Sequence, residues 1–178
     1  MNSLEKIQKT VKVFHILSRV AMILSFVAAG IILVSIGIWC DYSITKVIGD
    51  GSSVINYFVG NAENVSFEQA LCVLLQEFVY SLTSGIILAW VCSYFFHELK
   101  DGTPFTKEGA KRILHLGIKT IVLPLVAAII VGVIYGCYGI DEPSDIENGI
   151  SVMFGIGLIL ISLVFKYGAE LEEKCREK

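Results

Sequence analysis

A chain of 178 residues with 54% apolar side chains, 17% charged ones and a mean hydropathy of +0.70 is too apolar for a water-soluble domain of this length. Its formal net charge of −3 supplies no general basic surface, so direct nucleic-acid binding is not expected. What remains is a single integral membrane domain, residues 1–178, whose first partner is the lipid bilayer.

The first element opens with Leu4, Ile7, Val11 and Phe14 at helical spacing while Lys6, Lys9 and Lys12 project elsewhere. This amphipathic lead-in either lies along the headgroups or extends the first span, and its bases serve mainly as an orientation signal. The span itself covers 20–40, an uncharged stretch long enough to cross a hydrocarbon core of about 30 Å. It is longer than the apolar core of a cleavable signal and ends in Ile38-Trp39-Cys40-Asp41-Tyr42, so it is expected to remain in the mature protein.

An outer loop over 41–68 follows, too short to bury a core of its own. Two β-prone runs around Gly49-Asp50-Gly51 predict a small hairpin or an interfacial segment there. Asn64-Val65-Ser66 matches a glycosylation acceptor, a pattern short enough to arise by chance.

The second span covers 71–96 and begins with a more polar lead-in. Gln76, Glu77 and Ser81 make it the candidate intramembrane polar site, because an ionisable group in an apolar register is a proton or cation site by default. Against that stands its closeness to the outer interface, where a carboxylate stays solvated. Ser81, Thr83 and Ser84 either line a polar seam or bond back to carbonyls one turn earlier.

The third span, 118–140, carries Pro124 in its first half, which is expected to kink it unless neighbours satisfy the freed carbonyl. Lys119 at its inner edge is accounted for by snorkelling. Gly132-x-x-x-Gly136 here and Gly155-x-Gly157 in the fourth span offer flat faces, for packing within the chain or, alternatively, for a homo-oligomer. The fourth span, 150–166, is the shortest; the alternative for it is a re-entrant segment, which would place the basic tail outside.

Thirteen of the fourteen Lys and Arg residues fall on one side of these stretches, Lys46 being the exception. Loops near spans keep Lys and Arg in the cytoplasm, so the expected fold is an all-α four-helix transmembrane bundle with both termini cytoplasmic. The five cysteines and three histidines show no metal-ligand spacing, although Cys40, Cys72 and Cys137 lie near outer helix ends where one disulfide is conceivable. No nucleophile elbow, Walker loop or dinucleotide fingerprint is present; neither a catalytic residue nor a cofactor is expected, and the chain reads as no enzyme.

The most specific local sequence is the cytoplasmic hairpin over 97–112. Gly102 is suited to end the second helix, Pro104 to forbid its continuation and Thr106 to cap the next, with Glu108 in its first turn. Phe105 would precede the cap and pack back on the bundle. Pro104, Phe105, Thr106, Lys107, Lys111 and Arg112 form the candidate partner-binding surface, since they unite a turn, an aromatic and basic residues.

This Leu-x-x-Gly-x-Pro-Phe-Thr run, with the tail Tyr167-Gly168-Ala169-Glu170-Leu171-Glu172-Glu173, resembles the bacterial membrane proteins of domain-of-unknown-function family 2975. The chain departs from that pattern at its end, Lys174-Cys175-Arg176-Glu177-Lys178, which puts in doubt any docking that uses the family's tail. The resemblance implies a four-span protein of the bacterial cell membrane, in a group often encoded beside small helix-turn-helix regulators. It suggests a regulatory or interaction protein that engages such a regulator in the cytoplasm. The alternative is a small transporter, channel or immunity protein handling a cation or peptide around Glu77.

Overall fold

The computed structural model describes residues 3–45, 66–101, 106–140 and 147–176, all helical except Ser66, Thr106, Gly139 and Ile140. The helices are α1 (Ser3–Thr45), α2 (Phe67–Asp101), α3 (Lys107–Tyr138) and α4 (Glu147–Arg176). Each contains a window long and apolar enough to cross a membrane. Ser43, Ile44 and Thr45, the start of the first β-prone run, belong to helix α1 instead, because that helix continues past its apolar stretch; the rest of those runs, with Gly102, Pro104 and Phe105 of the hairpin, lies outside the described residues.

Three helix ends show why they fall where they do. Ser66 and Gln69 form a reciprocal capping box: the Gln69 N–H donates to Ser66 Oγ at 3.2 Å and the Ser66 N–H to Gln69 Oε1 at 3.0 Å. Thr106 caps α3 as expected, its Oγ1 accepting from the Gly109 N–H at 2.8 Å. Gly139 closes α3 in the left-handed region at φ 65°, and the Ile140 N–H returns to the Tyr135 carbonyl at 3.2 Å. No comparable breaker interrupts α1, so the lead-in and the span are one helix that runs on into the first residues assigned to the outer loop. α2 likewise continues through Asp101, five residues into the expected hairpin.

The helices pack in chain order, α1 on α2, α2 on α3 by a smaller interface and α3 on α4, which makes two helical pairs joined side by side. The α1 seam follows Val11, His15, Ser18, Met22, Ser25, Ala29, Ile32 and Ile36, the alternating three- and four-residue spacing of a left-handed helix pair. Across it the Ser81 hydroxyl donates to the Ser25 carbonyl at 2.9 Å, and Phe14 stacks on Phe95 with centroids 6.0 Å apart. Gly85 makes room for the Phe26 ring, which lies 3.1 Å from where a β-carbon would stand.

The glycines that bring α3 and α4 together are Gly117 and Gly155, whereas a β-carbon at Gly136 or Gly157 would meet nothing within 4 Å. Of the expected flat faces, Gly155 takes part in this close approach, whereas Gly136 and Gly157 do not. Gly155, Ser162 and Ala169 recur every seventh residue as the buried seam of α4. Gly117 lies in the first half of α3 and Gly155 in the first third of an antiparallel α4. That register displaces α4 toward the hairpin end by about 20 Å at 1.5 Å per residue. Pro124 is buried within α3, which continues unbroken to Tyr138, and four residues before it Thr120 donates its hydroxyl to the Leu116 carbonyl at 2.8 Å. Cys40, Cys72, Cys92 and Cys137 are free thiols, so no disulfide joins the three near the far end.

Candidate functional site

The narrow α2–α3 contact is closed at the end away from the hairpin and open at the hairpin end. At the closed end Cys72, Val131 and Tyr135 are buried against Val79, Tyr80, Ile134 and Ile140. The Tyr135 hydroxyl donates to Gln76 Oε1 at 2.8 Å, so a buried amide and a buried phenol satisfy each other in an apolar setting. Gln76 thus faces α3 while Ser81 faces α1, and the half-buried Glu77 lies between those two directions on the helix. The three residues of the expected polar site are not brought together around one ion position.

Toward the hairpin the two helices diverge around a cleft of about 580 Å³. Its α2 wall is Trp90, Ser93, Tyr94 and His97, and its α3 wall is Glu108, Lys111, Arg112, His115, Leu116 and Lys119. Both walls follow three- and four-residue spacing, so each is a single helix face. The Lys119 ammonium sits over the Trp90 ring, 4.7 Å from its centroid, tying the deep end of the cleft across both helices. Arg112 reaches the exposed Glu108 carboxylate at 3.5 Å, an i,i+4 pair of modest worth. The Tyr94 hydroxyl hydrogen-bonds to the buried carboxylate of Glu98 just behind the wall.

The two histidines are oriented by their own helices. His97 Nδ1–H donates to the Ser93 carbonyl at 2.7 Å and His115 Nδ1–H to the Lys111 carbonyl at 2.8 Å, leaving Nε2 of each ring for a ligand. With Lys111, Arg112 and Lys119 against Glu108, the lining carries three fixed positive charges and one negative. Such an arrangement attracts and orients an anion; among the described residues no group of three His, Cys, Asp or Glu could hold a metal.

Of the expected partner surface, Lys111 and Arg112 line the cleft, Lys107 is exposed beside it, and Thr106 is committed to the helix cap. Pro104 and Phe105 lie outside the described residues. Trp90, Tyr94, His97, His115 and Lys119 were not singled out as part of this surface from the sequence. The signal that could have found them is the pair of stripes 90/94/97 and 108/112/115/119, one on each side of the hairpin. No family model, curated protein or solved structure matches this chain.

Proposed function

We propose that this protein is a four-pass protein of the bacterial cell membrane, with both termini cytoplasmic, which acts without catalysis as a regulatory or interaction protein. Its hairpin end engages a soluble cytoplasmic partner, for which a helix-turn-helix regulator of the kind implied by the resemblance to family 2975 is the first candidate. The observation that carries this reading is the concentration of Lys107, Lys111 and Arg112 at the start of α3, with the first two exposed. The charge bias along the chain supports the orientation. The transport alternative around Glu77 draws no support from Gln76 and Ser81, whose hydrogen bonds are spent on different neighbours.

Two experiments test this reading. Charge reversal in Lys107→Glu/Lys111→Glu is expected to reduce at least tenfold the partner captured with the intact protein from native membranes. Detergent stability should stay within about 0.5 kcal/mol, as is usual for surface substitutions. Undiminished capture would remove the hairpin from partner binding. For orientation, single cysteines at Ser53 and Pro143, in a background without native cysteines, are expected to label from outside intact cells while one at Gly102 does not. The reverse pattern would overturn the topology.

A further inference from the structure

We propose that the cleft between α2 and α3 is a binding site for a phosphate-bearing anion, the shared chemistry of an anionic phospholipid headgroup and of free phosphate. This inference goes beyond partner binding and does not depend on it. Lys111, Arg112 and Lys119 supply charge from one face of α3, and His115 adds a ring nitrogen between them. About 580 Å³ is a volume typical of small-molecule sites. Trp90 forms the opposite wall at the depth of Lys119, and indole rings favour the level of lipid headgroups.

Depth is what favours a lipid over a soluble anion. From Glu108 to Lys119 the charged wall descends about 16 Å along α3. Lys119 is the last charge before an uninterrupted apolar stretch that reaches Ile140. One turn deeper on the same faces lie Ile86 of α2 and Val122 of α3, then Val126, exposed by 36%, 51% and 45%. A headgroup held by the bases would therefore have its acyl chains directed along apolar side chains. Basic pockets between transmembrane helices are a recurrent means of holding anionic headgroups.

The test uses the purified full chain in a neutral detergent, titrated with dioleoylphosphatidylglycerol or dioleoylphosphatidylcholine and read by native mass spectrometry. The parent protein is expected to bind the glycerol lipid in preference to the choline lipid, and less tightly as salt is raised. Lys111→Gln/Lys119→Gln should weaken that binding about 25-fold, at roughly fivefold for each basic residue near a membrane surface. Lys119→Gln alone leaves the Arg112–Glu108 pair intact and guards against a folding defect in the double variant; about fivefold is expected. Lys9→Gln/Lys12→Gln removes the same charge from exposed positions on α1 and should bind like the parent. If excess inorganic phosphate displaces the lipid, the site belongs to free phosphate; if the lipid stays bound, it belongs to the headgroup. Parent-like binding by Lys119→Gln, equal loss in the α1 variant, or no preference between the two lipids would overturn the proposal. Binding of an acidic peptide with neither phosphate ligand bound would overturn it in favour of a protein occupant.

Discussion

Replacing Gly155 by valine is expected to destabilise the protein by about 3 kcal/mol, the upper part of the range for overpacking a well-filled interface. A β-carbon at Gly155 would run into the Ile121 side chain and come within 3.0 Å of the Gly117 carbonyl oxygen. Ile121 can turn aside, but the backbone of α3 cannot, so the two helices must separate. The melting midpoint in mild detergent should fall by at least about 6 °C for a chain of this size. Gly157→Val is the matched control, because a β-carbon there meets nothing within 4 Å. Equal midpoints for the two variants would show that α3 and α4 do not meet through Gly155.

Tyr135→Ala is expected to cost about 3–5 kcal/mol, since it empties the volume of a buried ring between Cys72 and Val131. Tyr135→Phe keeps the ring and removes only the hydroxyl that donates to Gln76, for an expected loss of about 1 kcal/mol. A double-mutant cycle with Gln76→Leu isolates the bond: once the amide is gone, the phenylalanine substitution should cost less than it does in the parent. Thermal melts of the four proteins in one detergent provide the numbers. A Tyr135→Phe loss as large as that of Tyr135→Ala, or additive losses around the cycle, would remove this hydrogen bond from the account.

These two sites explain the form of the cleft. Tyr135, Val131 and Cys72 hold α2 and α3 together at the end away from the hairpin, while Gly117 and Gly155 draw α4 against α3 nearer the hairpin. Neither contact reaches the hairpin end, where Lys111, Arg112 and Lys119 line one face of α3 and Trp90 of α2 meets the Lys119 ammonium across the cleft.

Four apolar helices were legible in the chain because an uncharged run of membrane length is a local property, counted residue by residue. The Thr106 cap was legible for the same reason, its partner Gly109 being three residues away. The limits of α2 were legible too, from the lead-in near Phe67 and from Gly102 just after Asp101; the outer end of α1 was less so, since that helix runs past the apolar stretch to Thr45, because hydropathy marks what lipid covers and not where backbone hydrogen bonding stops. Of the glycines that pack, Gly155 was legible as a flat face and its partner Gly117 was not. Gly136 belongs to the better-known spacing yet a β-carbon there would meet nothing within 4 Å, while the register between α3 and α4 sets Gly117 against Gly155, and register depends on how two whole faces fit. In the same way Gln76 and Ser81 belong to one segment of sequence, but their positions around α2 send one to α3 and the other to α1. Trp90 and Lys119 are separated by the entire hairpin, and only the antiparallel return of the chain sets the ammonium over the indole. Periodicity and charge along the chain decided the helices; the angular position of each side chain and the offset between helices, which are properties of pairs, decided the cleft.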